Sequence, residues 1–252
     1  MRRTISGLAA LAMAAASALP AKAAEKPVSI VLVHGAFVDA SGWRAVYDRL
    51  TKDGYEVLVV QNPTITLKDD VAITRRAIAA ASHPVVLVGH SYGGAVITEV
   101  GNDPKVHSLV YLAAFAPDAG ESVAKLAEKP VPGEPHAPLL PAKDGFLIVD
   151  PAKFPTAFAA DVDAPTTTFM AAAQVPWGLK AVGGIITNVA WKSKPSSYMV
   201  TTEDHMVPPT AQRTMARRAG AKTQEINSSH AVMMSHPDEV AAFIEAADGP
   251  SR

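Results

Sequence analysis

The sequence of 252 residues has no cysteine, so no disulfide bond holds the fold and its stability must come from packing. It also lacks an excess of either charge, because 23 Lys and Arg residues balance 24 Asp and Glu residues. A nucleic-acid partner is therefore not expected, since binding to phosphates requires clustered cations. Metal-binding patterns such as H-E-x-x-H or paired C-x-x-C are missing too, and we expect neither a metal nor an organic cofactor.

Long apolar runs are absent except near the N-terminus. There, Arg2 and Arg3 precede an Ala-rich apolar stretch over residues 8–19, and Ala21-Lys22-Ala23 supplies the small residues of a cleavage site. About a dozen apolar residues are too few to span a bilayer. This pattern predicts a signal peptide over residues 1–23, export to a bacterial periplasm or medium, and a mature chain (residues 24–252) with no stable membrane insertion.

From residue 28 onward, short β-branched runs alternate with helix-like segments, which is typical of a parallel sheet with helices on both faces. Strands are predicted over residues 28–33, 55–60, 85–89, 106–112, 196–202 and 223–226. Helices are predicted over residues 43–52, 69–81, 92–100, 209–219 and 237–247. The sequence therefore predicts one α/β domain built on a mostly parallel six-stranded sheet.

An insertion of different composition follows the fourth predicted strand, over residues 117–191. Ten of the 20 prolines of the chain lie between Pro117 and Pro176, yet aromatic and apolar residues recur throughout. The segment is too long for a plain loop, and residues 168–174 and 177–182 have helix-like patterns. We interpret it as a small cap over the ends of the strands.

The third predicted strand ends in Gly89-His90-Ser91-Tyr92-Gly93, which fits the pattern G-x-S-x-G. A serine at a sharp strand-to-helix turn is lifted clear of the sheet, and glycines on either side leave room for the tight backbone. Ser91 is therefore the candidate nucleophile.

A serine hydroxyl is a poor nucleophile at neutral pH and needs a histidine base, which in turn needs a carboxylate to orient it. In proteins with this serine turn, the acid and then the histidine follow the nucleophile, on loops after later strands. Asp204 follows the fifth predicted strand and His230 follows the sixth. These two are the candidate acid and base, with Glu203 and Asp118 as alternative acids.

Cleavage of an ester builds negative charge on the former carbonyl oxygen, so backbone N–H donors must already face that position. The segment His34-Gly35-Ala36-Phe37, directly after the first predicted strand, is well placed to supply one donor. The N–H of Tyr92, the residue after the nucleophile, is the candidate for the other.

Four segments together resemble the α/β-hydrolase superfamily, and the resemblance covers nearly everything after the signal peptide. They are Val33-His34-Gly35-Ala36-Phe37, Gly89-His90-Ser91-Tyr92-Gly93-Gly94, Glu203-Asp204-His205-Met206-Val207-Pro208 and His230-Ala231-Val232-Met233-Met234-Ser235-His236-Pro237. The resemblance is strongest to the small-cap branch of plant methyl-ester hydrolases, hydroxynitrile lyases and bacterial esterases. It implies an α/β-hydrolase fold, a triad of Ser91, Asp204 and His230, and an oxyanion hole formed by the N–H groups of Ala36 and Tyr92.

Departures from that superfamily narrow the expected chemistry. The hydroxynitrile lyases of the branch carry a lysine directly after the catalytic histidine, where this chain has Ala231. Cyanohydrin cleavage is therefore disfavoured. Epoxide hydrolases and haloalkane dehalogenases carry an aspartate at the nucleophile position, so Ser91 excludes their chemistry here.

A pocket for an ester is expected to be mostly apolar. Its candidate residues are Phe37, Tyr111, Phe169, Trp177, Met233 and Met234. Methionine and aromatic residues are usually buried for packing alone, so a place in the core is the alternative for each.

The expected function is that of a serine esterase acting on a small-molecule ester through an acyl-enzyme. A cofactor-free perhydrolase would use the same triad with hydrogen peroxide as acyl acceptor, and is the enzymatic alternative. A non-catalytic binding protein with this fold is the alternative from another class. The sequence predicts neither the ester nor an oligomeric state.

Overall fold

A six-stranded parallel sheet forms the centre of the computed structural model, which describes residues 26–128 and 133–248. The predicted signal peptide lies outside these residues. The strands of the sheet are β1 (Ser29–Val33), β2 (Glu56–Val60), β3 (Val85–His90), β4 (Val106–Leu112), β7 (Ser196–Thr201) and β8 (Lys222–Ile226). All five pairings are parallel, which confirms the predicted fold class.

The strand order β2-β1-β3-β4-β7-β8 reverses direction once, between β1 and β3. The chain leaves β1 toward one edge to form β2, and then returns to the other side of β1 as β3. Val33 at the end of β1 is in register with Gly89 at the end of β3. In open α/β sheets, ligands bind at the carboxyl ends of the strands on either side of such a reversal.

Alternation along each strand sends successive side chains into two different cores, one on each face of the sheet. In β1, Val31 and Val33 join one core, whereas Ile30 and Leu32 join the other. All four are fully buried, which explains why β1 is a continuous apolar run and not an alternating one.

Helices cover both faces of the sheet. They are α1 (Arg44–Lys52), α2 (Leu67–Ala80), α3 (Gly93–Val100), α8 (Pro209–Arg218), α9 (Val232–Ser235) and α10 (Pro237–Glu245). Buried residues of α1, α9 and α10 join the core that contains Ile30, and those of α2, α3 and α8 join the other. The side chain of Thr66 caps α2 by accepting a hydrogen bond from the N–H of Asp69 (3.1 Å).

The segment between β4 and β7 contains several short elements. They are α4 (Val123–Ala127), β5 (Phe146–Leu147), α5 (Phe154–Phe158), α6 (Ala164–Ala172), β6 (Trp177–Gly178), α7 (Leu179–Val182) and a 3-10 helix (Ala190–Lys192). Strands β5 and β6 pair antiparallel, apart from the main sheet.

The two helices predicted in this segment are displaced in the structure. Helix α6 begins at Ala164, four residues before the predicted start, because the side chain of Asp163 caps it by accepting from the N–H of Thr166 (3.0 Å). The prediction of a helix from residue 177 was wrong for its first two residues, which form β6. The N–H of Gly178 donates to the carbonyl of Thr64 (2.8 Å), a contact distant in sequence that a local helical pattern does not reveal.

No helix within residues 26–128 or 133–248 is both long and apolar enough to cross a membrane.

The fold predicts a large difference between two Leu→Ala substitutions in helices. Leu50 of α1 is fully buried in the core that contains Ile30, whereas Leu179 of α7 is 44% exposed. Leu50→Ala is expected to lower the free energy of unfolding by about 2–5 kcal/mol, because the cavity it leaves is filled only in part. Leu179→Ala, the matched control, is expected to change it by less than about 1 kcal/mol. Chemical denaturation measures both, and equal losses would contradict the assignment of the core.

Candidate active site

Ser91 lies in a strained turn between β3 and α3. Its φ of 54° is in the left-handed region, which residues other than glycine rarely adopt. The turn is packed against neighbouring backbone: a Cβ at Gly93 would lie 2.6 Å from the carbonyl oxygen of Val33, and one at Gly94 would lie 2.2 Å from that of Phe115. Both positions therefore require glycine, and the close packing holds Ser91 in its unusual conformation.

His230 and Asp204 form a buried pair on the loops that follow β8 and β7. The distance from Nδ1 of His230 to Oδ2 of Asp204 is 2.7 Å, and the side chains are 1% and 0% exposed. A carboxylate can only accept, so Nδ1 carries the proton in this hydrogen bond. The other ring nitrogen, Nε2, is buried and has no hydrogen-bond partner in the part of the chain that the structure describes.

Four further donors surround the carboxylate of Asp204. The N–H groups of Met206 and Val207 donate to Oδ1 at 2.7 and 2.8 Å. The hydroxyl of Thr201 and the amide of Gln212 donate to Oδ2 at 2.8 and 2.9 Å. A buried charge is costly unless donors replace its hydration, and this carboxylate has a full set of them.

Neither alternative acid contacts His230. Glu203 precedes Asp204 but is exposed, and its N–H donates to the carbonyl of Ser228 (3.1 Å). Asp118 forms an ion pair with Lys192, which holds the pKa of that carboxyl below its usual range. Of the three candidates for the acid, the structure brings Asp204 alone to the histidine.

The residue before Ser91 links the serine turn to the histidine. Nε2–H of His90 donates to the backbone carbonyl of His230 (2.8 Å), and the centroids of the two rings are 4.7 Å apart. Burial, and then the neighbouring His230, hold the pKa of His90 well below its usual value, so His90 is neutral. Its hydrogen bond therefore connects the turn that contains Ser91 to the loop that contains His230.

The loop after β1 packs directly on the serine. A Cβ at Gly35 would lie 2.6 Å from Cβ of Ser91, so only glycine fits there. The loop is held by His34, whose Nδ1–H donates to the carbonyl of Gly35 (2.7 Å) and whose Nε2 accepts from the N–H of Asn62 (2.8 Å). The N–H groups of Ala36 and Tyr92 donate to no backbone acceptor among the described residues, so both are free to face a ligand.

The side chain of Tyr92 is anchored to a buried carboxyl of α2. Its hydroxyl donates to Oδ2 of Asp70 (2.5 Å), and the N–H of Thr64 donates to Oδ1 (2.9 Å). Burial raises the pKa of Asp70 to about 6, and these two hydrogen bonds oppose the rise. Sequence inspection missed Asp70, because an Asp in the first turn of a helix is normally exposed to solvent.

A small, mostly apolar cavity of about 60 Å³ lies between the loop after β1, the segment between β4 and β7, and α9. Its lining combines the loop after β1, the cap and α9: Phe37, Val38, Asp39, Ser41, Gly42, Phe158, Phe169, Met170, Ala173, Met233 and Met234. Phe158 is in an edge-to-face contact with His230, with ring centroids 4.8 Å apart, and Phe37 directly follows Ala36 in the sequence.

Four of the six predicted pocket residues line this cavity: Phe37, Phe169, Met233 and Met234. Tyr111 does not, because it is fully buried in the sheet core, where it stacks on Tyr198 (5.8 Å) and its hydroxyl is 2.9 Å from Oγ1 of Thr98. Trp177 lies behind the cavity, packed on Phe37 and Tyr92. The cap residues Phe158 and Met170 were missed, since the sequence pattern does not show which side of the cap faces the strands.

No group of three or more His, Asp and Glu residues within the described ranges is arranged to hold a metal ion.

The model of the Alpha/beta hydrolase family matches residues 30–243, which include every group described above. The chain belongs to the α/β-hydrolase family.

Two relatives of this hydrolase illustrate the match. This chain is 26% identical to an alpha/beta hydrolase, nvfD, of Aspergillus novofumigatus over 243 residues. The match covers 88% of this chain and 96% of the relative. The chain is 37% identical to a carbendazim hydrolyzing esterase of a Nocardioides species over 123 residues, which are 43% of this chain and 51% of that protein.

Two solved structures share its fold. Polyneuridine aldehyde esterase superposes with a TM-score of 0.76 at 19% identity, covering 89% of this hydrolase and all of the esterase. A methylesterase from Arabidopsis superposes with a TM-score of 0.70 at 19% identity, covering 87% and 98% of the two chains. These two similarities show the shared fold, and together with the family model they confirm the predicted α/β-hydrolase resemblance.

The raised pKa of Asp70 predicts a pH dependence of the stability of this hydrolase. Because the pKa in the folded state, about 6, exceeds the ordinary value of 3.8, protonated Asp70 is the form that folding favours. Protonated Asp70 contributes its whole stabilisation of the folded state below pH 3.8, and this stabilisation is lost as the pH rises through about 6. Between about pH 4 and pH 7, the wild type is expected to lose on the order of 2 kcal/mol relative to Asp70→Asn, which does not ionise.

Denaturation of both proteins across this pH range measures the difference, and other titrating groups cancel because both proteins contain them. A difference that stays constant with pH would contradict the raised pKa.

Proposed function

We propose that this hydrolase cleaves carboxylic esters through an acyl-enzyme, with Ser91 as nucleophile, His230 as base and Asp204 as the acid that orients the base. The observation that carries the proposal is the buried pair in which Nδ1 of His230 donates to Asp204 (2.7 Å). In the neutral imidazole this bond leaves Nε2 without a proton, and Nε2 has no hydrogen-bond partner among the described residues. His90 ties the serine turn to the same histidine. An imidazole in this state is a general base.

In the proposed reaction, Oγ of Ser91 attacks the ester carbonyl carbon while its proton moves to Nε2 of His230. The carbon–oxygen bond to the alcohol then breaks, and the same proton passes from Nε2 to the departing oxygen. A water molecule repeats the sequence on the acyl-enzyme, releasing the acid and restoring Ser91. Asp204 stabilises the imidazolium, which forms twice in the cycle. Five groups donate hydrogen bonds to Asp204, and His230 is one of them.

The serine and histidine form no hydrogen bond in the described structure, since Nε2 has no partner. Serine–histidine hydrogen bonds are often long in enzymes without substrate and shorten only in the complex. The N–H groups of Ala36 and Tyr92, which donate to no backbone acceptor in the described ranges, are proposed as the oxyanion hole. Their free state supports this role, because a donor already committed to protein would be unavailable to the developing charge.

The cavity supports a small apolar substituent on the ester. Its volume of about 60 Å³ is small and its lining is mostly apolar, which favours a short apolar substituent. Met233 and Met234 are unbranched and adapt to different shapes, and Phe169 is 72% exposed. We propose that a larger group is admitted only when these three side chains move.

Removal of the nucleophile provides the direct test. Ser91→Ala is expected to lower kcat for p-nitrophenyl acetate by at least about 10³-fold, and His230→Ala by a similar factor, because the two residues act as a unit. Ser193→Ala, which removes an exposed hydroxyl outside the site, is the control and retains the wild-type rate. Wild-type turnover in Ser91→Ala would disprove the mechanism, as would a fluorophosphonate label found by mass spectrometry on any other residue.

The contact between Gly35 and Ser91 predicts that a single methyl group disturbs the site. Gly35→Ala would place Cβ 2.6 Å from Cβ of Ser91, so the serine or the oxyanion loop must move. A displacement of about 1 Å is expected to lower kcat by about 10²-fold. The control is Gly120→Ala, which strains a glycine with φ of 76° but meets no atom within 4 Å. Equal kcat values in the two variants would contradict the predicted displacement.

A further inference from the structure

A carboxylate of the cap holds the loop that carries His230. Asp161 lies between α5 and α6, 69 positions before the histidine in the sequence. Its Oδ2 accepts from the hydroxyl of Ser228 (2.9 Å) and from the N–H of Ser229 (3.0 Å). Its Oδ1 accepts from the hydroxyl of Ser229. The two residues immediately before His230 are therefore bound to one side chain of the cap.

The same contact continues past the histidine. Oγ of Ser229, which donates to Asp161, also accepts from the N–H of Ala231 (3.3 Å). The backbone on both sides of His230 is thus connected to the carboxylate of Asp161. Phe158, at the end of α5, adds a second contact from the cap by packing its ring edge on the imidazole.

The surroundings of Asp161 keep it ionised. Burial raises the pKa of this carboxyl, but hydrogen bonds from Ser229, Ser228 and Ser235 outweigh burial, and the pKa lies below its usual value. Nε2 of His236 is 3.8 Å from Oδ2 of Asp161, and Glu239 lies on the far side of that ring, 3.8 Å from Nδ1. The carboxylate form that accepts these hydrogen bonds is therefore the form that this environment favours.

We propose that Asp161 is a positioning residue, which aligns His230 with Ser91 by fixing the loop of Ser228 and Ser229 to the cap. This inference rests on the proposed function. Asp204 fixes the orientation of the imidazole ring through its hydrogen bond with Nδ1. Asp161 fixes the position of the backbone that carries this ring. The cap thereby contributes to proton transfer as well as to the cavity.

The test compares two Asp→Asn substitutions that are two residues apart. Asp161→Asn keeps the size of the side chain but replaces one acceptor oxygen with an amide donor, which cannot accept from the serines. Asp163→Asn, the matched control, removes the same charge and keeps a good capping residue at the start of α6. The readouts are kcat and KM for an ester, the rate and final stoichiometry of fluorophosphonate labelling, and hydrogen exchange of the peptide over residues 226–232.

Asp161→Asn is expected to lower kcat and the labelling rate by about 10-fold, within the range known for residues that orient a functional side chain. KM changes by less than about twofold. Labelling still reaches one per chain, because the protein is folded and only the alignment of its base is altered. Exchange over residues 226–232 increases in Asp161→Asn alone.

A double variant, Asp161→Asn with Ser229→Ala, is expected to be no slower than the slower single variant, because both changes break the same contact.

Two other outcomes separate failure of this inference from failure of the proposed function. If the wild type labels at Ser91 but Asp161→Asn labels as fast as Asp163→Asn, the positioning role is overturned and the esterase mechanism stands. If the wild type neither labels nor hydrolyses any ester, the mechanism is overturned and the role of Asp161 with it. A labelling stoichiometry below one per chain in Asp161→Asn would assign its loss to unfolding, which also overturns the positioning role.

Discussion

The hydrogen bond between His230 and Asp204 is the interaction on which the site depends, and many of the surrounding contacts stabilise it. Asp204 is a charge placed where water cannot reach it, so four donors besides His230 replace its hydration. Three of these donors belong to the loop that follows Asp204 and to α8, which fixes the loop in place. On the other side of the bond, His90 and Asp161 hold the backbone next to the imidazole. The pair therefore lies where β7, β8, the serine turn and the cap come together.

Close backbone packing imposes a second constraint, and it explains why so many glycines surround Ser91. The reversal of strand order places the ends of β1 and β3 side by side, so that the loops leaving them share one small space. Gly35, Gly93 and Gly94 each occupy a position where a Cβ would lie less than 3 Å from another atom of the protein. The positive φ of Ser91 is tolerated because these contacts determine its conformation on every side. In the part of the chain that the structure describes, the N–H groups of Ala36 and Tyr92 in these two loops donate to no backbone acceptor.

The cap contacts both the cavity and the loop that carries His230. Phe169 and Met170 of α6 close one side of the cavity, whereas Phe158 and Asp161 contact the histidine loop from the adjacent turn. A movement of the whole segment that widened the cavity would therefore also displace the loop that carries His230.

The sequence by itself determined the sheet and the serine turn, and it limited the partner of His230 to Asp204, Glu203 or Asp118, because each of these depends on local patterns. Buried parallel strands are continuous apolar runs, the turn requires glycines at set spacings, and loops after strands gather at one edge of the sheet. It did not determine that Tyr111 faces the core, that residues 177–178 form a strand, or that Asp70 and Asp161 serve the site. Those outcomes depend on contacts between residues far apart in the chain, as in Gly178 with Thr64 or Asp161 with Ser229. Tertiary structure alone decided them, because which residues become neighbours across such distances is set by how the helices, cap and sheet pack together.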